Sequence, residues 1–205
     1  MSFEAWLTFC LTETVLCFTP GPAVLLVVSV GLSGSFRRAF ASALGILTAN
    51  ALYFAISAAG VGAAILASAR LFSVIKWLGA AYLVGLGLRM IFSHGPKTEI
   101  ARPVSHRGNF VKGVVVQGAN PKALVFFIAL LPQFVAPAAP VAPQVFLLGI
   151  SSVLIELCVL TSYATLAANG KRWAGARFAT AMERIGGGFL VAAGARLALT
   201  RSNAS

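Results

Sequence analysis

The chain has 205 residues, of which 59% are hydrophobic and only 10% are charged. A soluble domain carries about 25% charged residues, and here the apolar residues form runs of membrane-spanning length, so we exclude a soluble protein and expect a lipid bilayer around the chain. The formal net charge is +11, but its basic residues cluster between the apolar runs, which argues against a nucleic acid partner.

Six hydrophobic spans are predicted, with short connectors except for one basic linker that contains proline and glycine. We divide the chain into a first three-helix part at residues 1–93, a cytoplasmic linker at 94–111 and a second three-helix part at 112–205. The predicted spans cover residues 3–32, 39–66, 71–93, 112–134, 143–169 and 185–200.

Basic residues are divided unevenly between the two sides that alternating spans define. The positive-inside rule places the richer side in the cytoplasm, so both termini are predicted outside in a multi-pass protein of the bacterial inner membrane. The richer side holds Arg37, Arg38, Arg89, Lys97, Arg102, Arg107, Lys112, Lys171, Arg172, Arg177 and Arg184, against Arg70, Lys76, Arg196 and Arg201 on the other.

The two halves resemble each other in sequence. Residues 78–89 (LGAAYLVGLGLR) align with 185–196 (IGGGFLVAAGAR), and Pro20–Pro22 can be set against Asn120–Lys122. Because three crossings make the second copy enter from the opposite face, we predict an all-α protein of two inverted three-helix repeats, an architecture of many secondary transporters.

The alternative is that helices rich in glycine and alanine look alike by chance. Independently of the repeat, small residues spaced four apart predict close helix packing. These pairs are Ala81 with Gly85 and Gly188 with Ala192.

Two proline-containing segments predict breaks within the membrane helices, at Pro20-Gly21-Pro22 and at Asn120-Pro121-Lys122. Proline removes a backbone donor and clashes with the preceding turn. A helix that restarts near Ala23 presents free N–H groups and a partial positive charge, which suit a carboxylate. The alternative is a proline kink that neighbouring helices repair.

Lys122 lies midway along the fourth predicted span, where a charge costs about 2.5–3.5 kcal/mol. It also follows Pro121 at the positive end of a helical segment, so we expect an anion beside it. The candidates are a substrate carboxylate, Glu13 and Glu156. Alternatively the helix starts later and Lys122 reaches the cytoplasmic surface.

Glu156 stands in a long uncharged stretch and is predicted to exchange a proton or to accept a substrate ammonium group. The alternative is a structural ion pair with Lys122. Glu13 is the second candidate for proton coupling, with less weight because we expect it nearer the membrane edge.

Four polar side chains are predicted at membrane depth, where they either bind substrate or form hydrogen bonds across helices. They are Asn50, Gln117, Asn120 and Tyr163. His94 and His106 lie in the polar linker without other ligands at metal-binding spacing, and no catalytic motif is present, so we expect no metal, no cofactor and no enzyme. The predicted substrate-binding set is Pro20, Gly21, Pro22, Asn50, Gln117, Asn120, Pro121, Lys122 and Tyr163.

Three cysteines, Cys10, Cys17 and Cys158, are expected to be small buried hydrophobic residues. Cys10 and Cys17 lie about 10 Å apart along a helix, too far for a disulfide. Two alternatives to a transporter stay open: a membrane thiol–disulfide or electron carrier, and a non-transporting membrane scaffold.

The chain resembles the LysE/RhtB-type amino-acid exporters over nearly its whole length. The resemblance is carried by Thr19-Pro-Gly-Pro22, Gly79-Ala-Ala-Tyr-Leu83, Asn120-Pro-Lys122 and Pro132-Gln-Phe134, while Tyr163–Ala167 looks most like the homoserine/threonine branch. It implies efflux of small amino acids driven by the proton gradient. Family members often carry an acidic residue where Glu156 stands, whereas Glu13 is not a family position. Homo-oligomerisation stays open.

Overall fold

The computed structural model describes residues 1–67, 69–92, 104–136 and 138–169, and residues 184–199 apart from 186, 193, 196 and 197. The regular structure in these ranges is helical, which confirms the predicted all-α class. The elements are α1 (Phe3–Phe18), α2 (Pro22–Leu32), α3 (Phe36–Ala67), α4 (Ala69–Ile91), α5 (His106–Gly118), α6 (Pro121–Val125), a π-helical turn (Phe126–Leu130), a 3-10 turn (Leu131–Phe134) and α7 (Val141–Ala168).

Two single helices of the described residues are long and apolar enough to cross a membrane, Phe36–Ala58 within α3 and the whole of α7. Two bent pairs also qualify when each is taken as one broken span. The first joins α1 and α2 at 49°, and the second joins α5 to residues Pro121–Phe134 at 48°. Helix α4 holds a shorter apolar stretch, Trp77–Ile91.

Parts of the predicted architecture lie outside the described residues, namely linker residues 94–103 and portions of the sixth span. The count of six spans therefore stays a prediction. The fourth predicted span, which begins with α5, starts at His106 rather than at residue 112. The Ser105 hydroxyl accepts a 3.1 Å hydrogen bond from the Gly108 N–H and so caps the first turn of α5. His106 is exposed in that turn.

Both predicted helix breaks are confirmed. Helix α1 ends at Phe18 and α2 restarts with Pro22 at its first position. Helix α5 ends at Gly118 and α6 restarts with Pro121 at its first position. Proline suits that position because the first N–H of a helix has no partner within it.

Helices α3 and α5 run parallel and touch backbone to backbone. A Cβ on Gly113 would overlap the Ser42 carbonyl oxygen, and one on Gly45 would overlap the Phe110 carbonyl oxygen. The Tyr53 hydroxyl donates a 2.7 Å hydrogen bond to the Gly118 carbonyl further along. The starts of both helices therefore lie at one end of the molecule.

Helix α7 runs parallel to the broken pair α1–α2. The Trp6 indole donates to the Ser151 hydroxyl at 3.0 Å, and a Cβ on Gly31 would lie 2.7 Å from that of Ala167. The α2–α3 turn, the start of α5 and the end of α7 thus share one end of the molecule. We call this the basic end, because it carries Arg37, Arg38, Arg107 and Lys112.

Helix α4 and the described C-terminal residues pack through glycines in a reciprocal pattern. A Cβ on Gly87 would lie 2.5 Å from the Gly187 carbonyl oxygen, and a Cβ on Gly194 would lie 2.8 Å from the Ala80 carbonyl oxygen. No described atom lies within 4 Å of a Cβ built on Gly85 or Gly188, so the close contacts that the structure describes between these segments are made at Gly87, Gly187 and Gly194.

Two hydrophobic clusters lie on either side of a polar layer. The first contains Phe9, Phe54, Phe126, Phe127 and Leu148 among others, and the second contains Val27, Ile46, Leu160 and Ala164 among others. Along α3, Asn50 falls between Ile46 and Phe54. Along α7, Ser152 and Glu156 fall between Leu148 and Leu160, so the polar groups form one level between the clusters.

Candidate functional site

A polar cavity lies where the two helix breaks meet. Its volume is about 50 Å³, which holds a few water molecules. It is lined by Glu13, Leu16, Cys17, Gly21, Ala23, Val24, Asn50, Gln117, Asn120, Lys122, Ala123, Phe126, Phe127, Ser152, Glu156 and Leu160.

Lys122 joins the two breaks. Its ammonium donates hydrogen bonds of 2.9 Å to the Leu16 carbonyl and 3.2 Å to the Thr19 carbonyl. The last carbonyls of a helix lack partners within it and carry partial negative charge, so the end of α1 attracts a cation. The hydrogen-bond acceptors of the ammonium are thus backbone oxygens, while Glu13 and Glu156 line the same cavity; a substrate carboxylate beside Lys122 stays a prediction.

The start of α2 faces the same cavity. Gly21 is its N-cap residue and provides no side-chain hydrogen bond, while Pro22 stands at the first helical position. A Cβ on Gly21 would lie 3.7 Å from the Lys122 ammonium nitrogen, and Ala23 and Val24 line the cavity. The positive end of a helix and an ammonium group thus stand side by side.

The start of α6 differs from that of α2, because the side chain of its N-cap residue forms a hydrogen bond with the first turn. The Asn120 side-chain oxygen accepts a 3.1 Å hydrogen bond from the Lys122 N–H. Of the two helix starts at the cavity, α2 is therefore the one without a side-chain cap.

Four buried side chains form a continuous hydrogen-bonded series that ends at the carboxylate of Glu156. We call its three amides, Asn120, Gln117 and Asn50, the amide relay. Asn120 donates to the Gln117 side-chain oxygen at 3.0 Å, and Gln117 donates to the Asn50 side-chain oxygen at 2.7 Å. Asn50 in turn donates to a carboxylate oxygen of Glu156. Each amide donates to the next residue on the way to Glu156, so the three hydrogen bonds run in one direction and strengthen one another.

Glu156 therefore accepts from Asn50, and the structural ion pair with Lys122 that we considered is not formed. Asn50, Gln117 and Asn120 do bond across helices, as one of the two readings of these residues predicted. All three also line the cavity, where a ligand could reach them.

Glu13 lines the same cavity as Glu156, although we expected it nearer the membrane edge. It is buried and accepts a 2.5 Å hydrogen bond from the Ser152 hydroxyl. The Cys17 thiol donates to the same oxygen at 3.6 Å. Two carboxylates and one ammonium thus line one small space.

Other predicted residues lie beside the cavity rather than on its wall. The Tyr163 hydroxyl donates a 2.9 Å hydrogen bond to the Phe18 carbonyl, so it stabilises the end of α1 as Lys122 does. Pro20, Pro22 and Pro121 shape the breaks but are not among the lining residues.

The cysteines depart from the expected burial. All three are free, Cys10 and Cys17 are half-buried, and Cys158 is exposed. The expectation of three buried hydrophobic residues is wrong for Cys158, which lies on the outer surface of α7.

Several lining residues were absent from the predicted set. Ser152 stands one helical turn before Glu156, a spacing that puts both on one face of α7, so the periodicity contained that signal. No local pattern distinguishes the apolar wall residues Phe126, Phe127 and Leu160 from those that face lipid.

Broken helices whose ends meet at a polar cavity between hydrophobic clusters are typical of secondary membrane transporters. Residues 14–201 match the family described as LysE type translocator, and the chain belongs to that family. This confirms the resemblance drawn from the sequence motifs and classes the chain with translocators, not enzymes.

Two of the three relatives described here cover nearly the whole chain. A homoserine/homoserine lactone efflux protein of Salmonella typhimurium is 32% identical over 98% of this chain and 99% of the relative. A Vibrio cholerae protein described as an uncharacterized membrane protein is 33% identical over 98% and 100%. A leucine efflux protein of Klebsiella pneumoniae is 26% identical over 76% of each. No solved structure matches the chain.

Proposed function

We propose that this protein exports small amino acids of the homoserine and threonine type across the bacterial inner membrane, in exchange for protons. The observation that carries the proposal is that one cavity presents an uncapped helix start, an ammonium group and two carboxylates. These are the complements of the two charged ends of an amino acid. The names of the Salmonella and Klebsiella relatives, which describe homoserine, homoserine lactone and leucine efflux, support amino-acid export.

The substrate carboxylate would bind at the start of α2. The N–H groups of the first helical turn have no partners within the helix, and an anion there also meets the helix dipole. Lys122 stands beside this position and can exchange a carbonyl of α1 for the incoming carboxylate. The hydrogen bond from the ammonium to the bound carboxylate would then be stronger than its bond to a neutral carbonyl.

The substrate ammonium would face Glu156, which lines the same cavity. The substrate side chain would then meet the apolar lining residues, of which Phe126 and Phe127 belong to the first hydrophobic cluster and Leu160 to the second.

Transport requires the cavity to open, because about 50 Å³ is too little for a molecule of several non-hydrogen atoms. The two hydrophobic clusters close the polar layer on either side, and alternate separation of these clusters would open it to one compartment at a time. The reciprocal contacts of α4 with the C-terminal residues, Gly87 with Gly187 and Gly194 with Ala80, support two inverted repeats that rock against each other.

Purified protein in liposomes tests the proposal. Vesicles are loaded with labelled homoserine, threonine or leucine, and release is followed with a proton gradient imposed in either direction. We expect protein-dependent release of at least one substrate that speeds up when the gradient drives protons inward. Equal release from protein-containing and empty vesicles for all three would refute amino-acid export.

A further inference from the structure

We infer a division of labour between the two buried carboxylates. Glu13, together with Ser152, carries the exchanged proton, whereas Glu156, held by the amide relay, binds the substrate ammonium. This inference rests on the proposed function, and it assigns separate roles to residues that the sequence places in one class.

The amide relay fixes the orientation of the Asn50 amide, so that its NH2 group faces Glu156. Its side-chain oxygen is occupied by Gln117, whose own oxygen is occupied by Asn120, whose oxygen caps the Lys122 N–H. Turning one amide would set two oxygens or two NH2 groups face to face. Because an amide N–H can only donate, the Glu156 oxygen that it contacts is held as an acceptor.

Glu13 has partners of another kind. The Ser152 hydroxyl donates to it at 2.5 Å, but a hydroxyl can also accept. If Glu13 gains a proton, the Ser152 oxygen can accept a hydrogen bond from the new carboxyl O–H, and the Ser152 hydroxyl can turn its own hydrogen to the backbone carbonyl one turn back. Two other serines of α7 already bond in this way, Ser151 to Leu147 at 2.9 Å and Ser162 to Cys158 at 2.8 Å. The Glu13 site therefore accommodates either protonation state without rebuilding.

The charges in the cavity explain why proton and substrate would exclude each other. The titratable groups that line the cavity with Glu13 are Cys17 on its own helix, Lys122 on α6 and Glu156 on α7. With both carboxylates ionised, the two glutamates outweigh the lysine by one negative charge, which favours a substrate ammonium. A proton from water that binds a Glu13 oxygen removes that excess and weakens the hold on the substrate. No bond to the substrate forms or breaks.

Exchange and net transport separate the two roles. Exchange of labelled for unlabelled homoserine at equal pH on both sides needs substrate binding but no net proton movement, whereas accumulation driven by a pH gradient needs both. We expect Glu13→Gln, which mimics the protonated acid, to keep exchange and to lose gradient-driven accumulation. We expect Glu156→Gln to raise the KM for exchange by about ten- to a hundredfold, the range for one charge-assisted hydrogen bond.

A second pair of variants covers the case in which Glu13→Gln does not fold. Ser152→Ala should shift the pH dependence of net transport while exchange is retained. Ser162→Ala is the matched control and should change neither, since this exposed serine of α7 donates to the Cys158 carbonyl of its own helix. Gradient-driven accumulation at the wild-type rate in Glu13→Gln, or an unchanged pH profile in Ser152→Ala, overturns the assignment.

The two proposals fail in different ways. If wild-type protein neither exchanges nor releases any of the three amino acids, the proposed function is wrong. If wild type transports, but Glu13→Gln loses exchange while Glu156→Gln keeps it, export stands and the division of labour is overturned.

Discussion

The ammonium of Lys122 lies 2.9 Å from the carbonyl oxygen of Leu16, a residue 106 positions away in the chain. This hydrogen bond ties the start of α6 to the end of α1, so the two helix breaks stabilise each other. The same ammonium borders the uncapped start of α2. One side chain thus stabilises the break and lies at the position that we propose for the substrate carboxylate.

Replacing Lys122 separates these contributions when homoserine is compared with homoserine lactone. The lactone keeps the ammonium, but its carboxyl group is closed into a ring ester. We expect Lys122→Met to raise the KM for homoserine by about ten- to a hundredfold, the range for one charge-assisted hydrogen bond, and to affect the lactone far less. Transport kinetics in liposomes measure both, and an equal loss for the two ligands would show a purely structural lysine.

Helix α3 and helix α5 should not tolerate a methyl group where they cross. In Gly113→Ala the new Cβ would overlap the Ser42 carbonyl, which is backbone and cannot turn away. Overpacking costs about 1–3 kcal/mol, so the melting temperature in detergent should fall clearly. Gly118→Ala on the same helix is the control, since no atom of the residues that the structure describes lies within 4 Å of its Cβ position. Equal melting temperatures would contradict the crossing.

Asn120 combines a helix cap with the first step of the amide relay, and two substitutions distinguish them. Serine caps a helix about as well as asparagine, whereas alanine loses about 0.5–2 kcal/mol. We therefore expect Asn120→Ala to lower both thermal stability and substrate affinity. Asn120→Ser should keep most of the stability and lose affinity, since it cannot reach Gln117 as an amide does. Wild-type KM values in both variants would argue against any role of the relay in binding.

Cys17 offers a direct probe of occupancy, because it lines the cavity beside Glu13. In a protein whose other two cysteines are replaced by alanine, homoserine should slow the reaction of Cys17 with N-ethylmaleimide. A protein that retains only Cys158, which is exposed, should react at one rate with and without substrate. If no transported amino acid changes the rate at which Cys17 reacts, the substrate binds elsewhere. A cysteine-free protein should still transport, which a thiol–disulfide carrier could not do.

The local features of this molecule were readable from its sequence. Helical spans follow from apolar runs, and the breaks at Pro20–Pro22 and Asn120–Lys122 follow from the loss of a backbone donor, which depends only on neighbours in the chain. The family motifs also predicted the translocator class. The late start predicted for α5 shows the limit, because polar residues such as His106 can belong to a helix that a serine caps.

Only the tertiary structure decided which groups meet. The carbonyl partners of Lys122, the amide relay to Glu156 and the place of Glu13 beside Ser152 all join residues that are 67 to 139 positions apart, except for the local steps at Asn120. Such pairs depend on how helices cross, and the crossings depend on single backbone contacts such as Gly113 against Ser42. Apolar periodicity identifies residues that avoid water, but in a membrane both lipid and protein satisfy that condition, so the pattern alone cannot select the cavity wall.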